Sequence, residues 1–115
     1  MSYYCYFIIS GKNTYIGITK NLQNRINCHN GLKGNGAKST RGRKWCYHTI
    51  IGEFKTKGLA SRFEWFWKHR QVFSKKKNKW VWIRTKSGIE NKMNRLIDLL
   101  LDKEWKDVNI YKLPN

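Results

Sequence analysis

The stretch YYCYFIISGKNTYIGIT, residues 3–19, decides how this chain begins to fold. Residues 3–9 are an apolar run too short for a helix and rich in aromatic and β-branched side chains, which predicts a strand. Residues 10–13 (SGKN) carry turn chemistry and residues 14–19 (TYIGIT) predict a second strand, so a β-hairpin opens the chain. Across a two- or four-residue turn, odd and even positions exchange, which puts Tyr6 and Tyr15 on one face. Gly17 falls opposite or near Tyr6 on that face and removes bulk beside it. Two phenols beside bare backbone are either a catalytic floor or half-buried strand tyrosines.

Working outward, Asn21 can cap a short helix whose apolar stripe is Leu22 and Ile26. Arg25 and His29 are four apart and share one face of it. Arginine offers a forked permanent cation for phosphate and histidine moves a proton near neutral pH; the alternative is a solvated helix face. Residues 30–44 hold four glycines and five cationic side chains and read as a basic loop. A third strand is expected at 45–51. A helix is expected at 59–72, with Leu59, Phe63, Phe66 and Trp67 at helical spacing. A lysine cluster (SKKKNK, 74–79) and a short aromatic strand or turn at 80–83 precede a last helix at about 89–103. There are no repeats and no low-complexity linkers. The order β-β-α-β-α-α predicts a small α+β domain with a three-stranded antiparallel sheet.

At 115 residues, 40% of them apolar and 15% aromatic, one domain with a real core is expected. No apolar run approaches the ~18 residues of a membrane span, and no secretory leader pattern opens the chain. Cys5, Cys28 and Cys46 are odd in number and widely spaced, which excludes a disulfide framework, argues against structural zinc and fits a reducing compartment. The formal net charge is +17, and residues 1–89 carry 19 of the 24 Lys and Arg with only Glu53 and Glu64 as acids. Residues 90–115 balance. Such a field favours a polyphosphate partner, nucleic acid first; an anionic membrane or an acidic protein surface is the alternative.

Residues 31–39 (GLKGNGAKS) approach a phosphate-binding P-loop, but Ala37 separates Gly36 from Lys38 and a helix rather than a strand precedes, so nucleotide hydrolysis is not expected. Glu64 is the sharper oddity, an acid within the aromatic segment FEWFW, residues 63–67. A half-buried carboxylate there is costly unless a cation answers it. It is either salt-bridged to Arg62 or Lys68, or solvated, or a Mg²⁺ ligand, since Mg²⁺ takes few protein carboxylates and keeps several waters. For a metal, Glu53 is the one other acid in the basic part.

Together these pieces resemble the GIY-YIG nucleases. Tyr4-Cys5-Tyr6 and Tyr15-Ile16-Gly17 look like the two halves of that family's signature, with Arg25, His29 and Glu64 after them in the family's order; Tyr4 stands at the first glycine position. Within it, HN (29–30), GAKST (36–40), GRKW (42–45) and RFEW (62–65) resemble the catalytic subunit of the eukaryotic structure-selective endonuclease that cuts branched DNA. Residues 89–113, a helix, Trp105 and an apolar strand-like end, are similar to the segment C-terminal to the nuclease core of that subunit. The resemblance implies a core at 1–85 with a helical extension at 86–115 packed on it.

It further implies a DNA endonuclease acting on flaps, forks or four-way junctions in repair or recombination, with one Mg²⁺ or Mn²⁺ on Glu64. Arg25 would clamp the scissile phosphate; the family leaves open which tyrosine is the base, and Tyr6 is favoured, with His29 assisting and Tyr15 orienting the water. A phenol near pKa 10 needs that help at neutral pH. Lys33, Lys38, Thr40, Arg41, Arg43, Lys44, Lys75, Lys76, Lys77 and Lys79 are expected to grip the DNA backbone. The family's subunit docks a scaffold protein through a RING finger whose Cys/His set has no counterpart here, which counts against docking by that route but leaves a scaffold partner open. A monomer or weak homodimer, in the nucleus or cytoplasm and with a viral source among the candidates, completes the expectation. The rivals are a non-catalytic nucleic-acid-binding module on the same fold and, ranked lower, a sequence-specific restriction or homing nuclease.

Overall fold

The structure, a computed structural model, describes residues 2–32 and 40–112. Strand β1 (Tyr3–Ser10) turns through Gly11 and Lys12 into β2 (Asn13–Thr19), and the ladder registers Tyr6 with Gly17 and Ile8 with Tyr15. Gly11 takes a positive φ of 61°, which the tight turn needs and glycine supplies without a Cβ clash. Helix α1 (Leu22–His29) starts where the Asn21 side chain accepts the Asn24 N–H at 2.9 Å. Strand β3 (Cys46–Phe54) comes next, then α2 (Lys57–Lys68), β4 (His69–Ser74), β5 (Lys79–Arg84), α3 (Ile89–Leu100), a 3-10 turn at Lys103–Trp105 and β6 (Asn109–Lys112).

The α+β class holds, with a main antiparallel sheet of four strands rather than three, in the order β2-β1-β3-β6. β4 and β5 form a separate two-stranded ribbon. The expected helix at 59–72 is shorter at its C-terminal end and stops at Lys68. Its last carbonyls are taken by distant groups: Thr85 N–H donates to Lys68 O at 2.8 Å and Thr85 Oγ1 to Trp67 O at 2.9 Å. Arg95 Nε donates to Phe66 O and His69 O. Those partners end the helix, and His69 onwards pairs with β5. The last helix likewise stops at Leu100 rather than 103, because Asp102 caps the 3-10 turn through the Glu104 N–H at 2.9 Å.

β1 is central and buried on both faces, which is why its sequence reads as a continuous apolar run rather than an alternation. One face, with Cys5 and Phe7, packs on Phe63 and Trp67 of α2, Leu96 and Leu99 of α3, and Trp105. The other carries Tyr6 and Ile8 against Trp45, Leu22 and Ile26 of α1, Tyr15 and Tyr47. All three cysteines are free. Among the described residues, no helix is long and apolar enough to cross a membrane.

Candidate active site

The small face of the sheet gathers four of the residues singled out by sequence. Tyr6 and Tyr15 have ring centroids 6.4 Å apart, and the backbone of Gly17 lies beneath them. A Cβ at Gly17 would stand 2.5 Å from the Tyr6 oxygen and 3.0 Å from a Tyr15 ring carbon, so only glycine lets both rings lie where they do. From α1, Arg25 Nε donates to the Tyr6 hydroxyl at 3.2 Å, and His29 Nε2 lies 2.7 Å from the same oxygen. The Tyr15 and His29 rings are 4.8 Å apart. The four-residue spacing of Arg25 and His29 thus directs both to one phenol.

Behind His29, Nδ1 meets Thr40 Oγ1 at 2.9 Å, and Trp45 Nε1 donates to the Thr40 carbonyl at 2.8 Å. Asn30 ties the end of α1 to the start of β3, its Nδ2 donating to Trp45 O at 3.0 Å and its Oδ1 accepting the Trp45 N–H. Thr40 was expected on a phosphate. It is instead fully buried and serves as the support for the imidazole.

Burial sets the electrostatics of the cluster. Tyr6 is 1% exposed, and burial pushes its pKa well above the ordinary phenol value against the lowering effect of Arg25. His29 is lowered to about 4, first by burial and then by the Arg25 charge, so it is neutral at physiological pH. Burial works against the charge on Arg25, but the Tyr6 and Tyr15 oxygens that accept its hydrogen bonds hold its pKa above the ordinary value.

Tyr47 was not singled out by sequence. Its ring packs edge-on against Tyr6 at 5.7 Å, its hydroxyl donates to the Leu22 carbonyl, and burial raises its pKa to about 12. A bulge places it there: Phe7 pairs with Thr49 but Ile8 with Tyr47, so His48 is skipped. Strand parity alone would have put His48 on this face, and nothing in the sequence announces the bulge.

Glu64 lies on α2, against the other face of the sheet. Its Oε2 is answered by Lys68 Nζ at 3.1 Å, with both side chains partly buried, and that same Nζ lies 5.9 Å from the centre of the Tyr15 ring. The carboxylate thus neighbours the phenol cluster at the β2 edge, linked to it through Lys68. Arg62, the other expected partner, is held instead by Glu104 through two bonds of 2.9 and 3.0 Å. Glu53 sits on β3 with Ser2 and Tyr111, toward the opposite edge of the sheet.

Among the described residues no three His, Cys, Asp or Glu gather to hold a metal. A single carboxylate does fit Mg²⁺, whose remaining positions water and phosphate oxygens commonly fill. Metal binding would require Glu64 Oε2 to exchange Lys68 for the cation.

Of the expected backbone-gripping residues, Arg41, Arg43 and Lys44 are exposed and line a cavity of about 430 Å³ that also touches His29 and Thr40. Lys75, Lys76, Lys77 and Lys79 are exposed at the tip of the β4-β5 ribbon. Lys33 and Lys38, with most of the P-loop-like stretch, lie outside the described residues.

Known proteins resemble this chain in sequence. An uncharacterized protein of Acanthamoeba polyphaga mimivirus is 42% identical over 108 residues, covering 84% of this chain and 63% of that protein. The structure-specific endonuclease subunit SLX1 homolog of Cryptosporidium parvum is 31% identical, covering 94% of this chain and 31% of its own length. The structure-specific endonuclease subunit slx1 of Schizosaccharomyces pombe is 31% identical over 59% of this chain and 28% of its own. The chain therefore spans less than two thirds of the length of these relatives. Residues 2–78, from the opening hairpin through Arg25, His29 and Glu64 to the lysine turn, match the family described as the GIY-YIG catalytic domain, and the chain belongs to that family.

Proposed function

We propose that this chain is a divalent-metal-dependent endonuclease that hydrolyses phosphodiester bonds in branched DNA, in repair or recombination. The observation that carries the reading is the buried relay of Thr40, His29 and Tyr6, closed by Arg25. A half-buried cation bonded to a phenol that also faces a neutral imidazole is more than a nucleic-acid grip requires. Relatives named as structure-specific endonuclease subunits support the substrate class and make a protein partner part of the proposal.

Each step is assigned to a residue of the cluster. Arg25 turns its guanidinium onto the scissile phosphate and withdraws its Nε–H from the Tyr6 oxygen. That oxygen is then open to a water. As the water attacks phosphorus, its proton passes to the Tyr6 oxygen while the phenol's own proton moves to His29 Nε2, whose other nitrogen donates to Thr40 Oγ1. The phenol never has to exist as a free phenolate, which its burial disfavours. Tyr15, half-buried beside it, orients the water. Nucleases of this family generally depend on a divalent metal, and one held by Glu64 would supply Lewis-acid stabilisation of charge on the leaving oxygen. Arg41, Arg43, Lys44 and the ribbon lysines hold the backbone on either side and read no base.

The ion pair between Glu64 and Lys68 favours a second reading, a binding module in which the carboxylate is structural. One experiment separates the two: incubation with flap, fork, four-way junction and plain duplex DNA, with and without Mg²⁺ or Mn²⁺. Metal-dependent cleavage of the branched substrates in preference to duplex is expected. Binding to all four without cleavage in either metal would establish the binding module.

A further inference from the structure

The β4-β5 ribbon carries large aromatic side chains that the catalytic reading does not use. Phe73 pairs across the ribbon with Trp80, and Gln71 with Trp82, so all four point to one face. Phe73 is 47% and Trp80 64% exposed, and their rings meet edge to face at 5.6 Å. Nearer the body of the protein, Trp82 lies 5.1 Å from Trp65, which stacks on His69 at 4.1 Å with only 14° between the planes. Open aromatic rings thus run from the end of α2 to the lysine turn. Soluble proteins rarely leave such a patch unpartnered.

Charge indicates what covers it. No Asp or Glu occurs between Trp65 and Ile89, four lysines crown the turn and Lys68, Arg70, Arg84 and Lys86 flank it; Asp98, Asp102 and Glu104 share a cavity with Trp82 at the inner end, away from the turn. An apolar protein partner would gain nothing from eight cations, whereas a polyanion with flat apolar rings matches both features. Nucleic acid is that polyanion. In duplex DNA the base faces are hidden by stacking and exposing them costs energy, so exposed rings serve unpaired bases best.

The stripe also starts beside the candidate active site. Glu64 with Lys68, and Trp65 with His69, form neighbouring rows about 100° apart around the α2 axis. Trp80 and Trp82 lie beyond residue 78, where the family match ends.

We propose that this ribbon is a stacking platform for unpaired DNA bases, which selects substrates with a single-stranded arm and leads that arm past the Glu64 edge. The proposal deepens the nuclease reading by naming the feature of the branch that is recognised. Same-face rings on one strand stand about 7 Å apart, two residues of strand rise, so Trp80 and Trp82 can engage successive bases. The exposed lysines of the turn hold phosphates of paired and unpaired strands alike, so only the rings distinguish the two.

The test is binding to a single-stranded thymidine oligonucleotide, to a fork with unpaired arms and to blunt duplex, without metal so that no cleavage enters. Trp80→Leu keeps apolar bulk but removes the ring, Phe73→Ala removes its partner, and Trp80→Phe restores a ring. The first two should each weaken single-strand and fork binding about fivefold or more, leave blunt duplex within about twofold, and reduce the quenching of tryptophan emission by the oligonucleotide. Trp80→Phe should bind near wild type. Equal losses on single strand and duplex, or none on either, would overturn the platform, as would wild-type dimerisation in sedimentation that Trp80→Leu abolishes, since a second copy would then cover the face. Single-strand binding without any cleavage would support the platform while removing the nuclease reading. Undiminished preference for forks in both ring-removing variants, with cleavage intact, would remove the platform alone.

Discussion

The Tyr6 hydroxyl stands 2.7 Å from His29 Nε2, and both residues are almost completely buried. A phenol and an imidazole so placed share one proton, and Arg25 Nε at 3.2 Å from the same oxygen leaves the phenol's own proton directed at the imidazole. Tyr6→Phe keeps the ring packing but cuts this link. It should reduce single-turnover cleavage about 10²- to 10⁴-fold, and more than Tyr15→Phe does, with DNA affinity retained. A larger loss in Tyr15→Phe would exchange the two roles, and two active variants would exclude a phenol base.

Burial of His29 as a neutral ring couples stability to pH. Its folded pKa of about 4 lies below the ordinary 6.5, so between those values the unfolded chain binds more protons than the folded one. Its contribution is fully present above about pH 6.5 and lost as pH falls toward 4, on the order of 3 kcal/mol. His48, also lowered by burial, acts in the same direction. Denaturant midpoints measured from pH 7 to 4 should drop less steeply in His29→Gln than in wild type. The wild-type pH–rate profile should carry no limb near 6.5. An unchanged stability slope in the variant would place the His29 pKa near its ordinary value.

Gly17 is the close approach that lets the two phenols lie over the β2 backbone. In Gly17→Ala the new methyl meets the Tyr6 oxygen at 2.5 Å and ring carbon Cζ at 2.7 Å, so Tyr6 must move off His29 and Arg25. Overpacking of this kind costs about 1–3 kcal/mol. Thermal unfolding should fall accordingly, and cleavage should fall much further than the loss of folded protein explains. A variant as active as wild type would mean that the relay tolerates displacement.

Glu64→Gln removes the charge and keeps the volume. Cleavage should fall by about 10²-fold or more while DNA binding stays level or tightens. Because the variant also frees Lys68 from its 3.1 Å partner, a modest stability change should accompany it. Near-normal nicking would assign the carboxylate to the ion pair alone.

The lysine turn separates grip from chemistry. Replacing Lys75, Lys76, Lys77 and Lys79 together by Gln alters only exposed side chains and should weaken binding to every DNA shape alike. Each lost phosphate contact should flatten the slope of log affinity against log salt by about 0.9 on duplex DNA. Cleavage at saturating enzyme should remain near wild type. An unchanged slope would make the turn a solubilising one.

Local chemistry made much of this molecule legible in advance. Residues 3–19 specify the hairpin because turn chemistry, β-propensity and strand parity agree there, and parity alone sets Tyr6, Tyr15 and Gly17 on one face. The Asn21 cap and the four-residue spacing of Arg25 and His29 lie within one helix, where neighbours in sequence are neighbours in space. What the tertiary structure decided depends on partners distant along the chain. α2 stops at Lys68 because Thr85 and Arg95 take its last carbonyls, which frees residues 69–74 to form the ribbon and show their aromatic face. The bulge at His48 hands Tyr47 to the phenol cluster, and burial of Thr40 turns an expected phosphate contact into the support for His29. Glu64 meets Lys68, four residues on along the same helix face, while Arg62 is taken by Glu104, forty-two residues away in sequence. Propensity and periodicity act over a few residues, while the burial that moves the His29 proton equilibrium and ends α2 exists only once the sheet faces are covered.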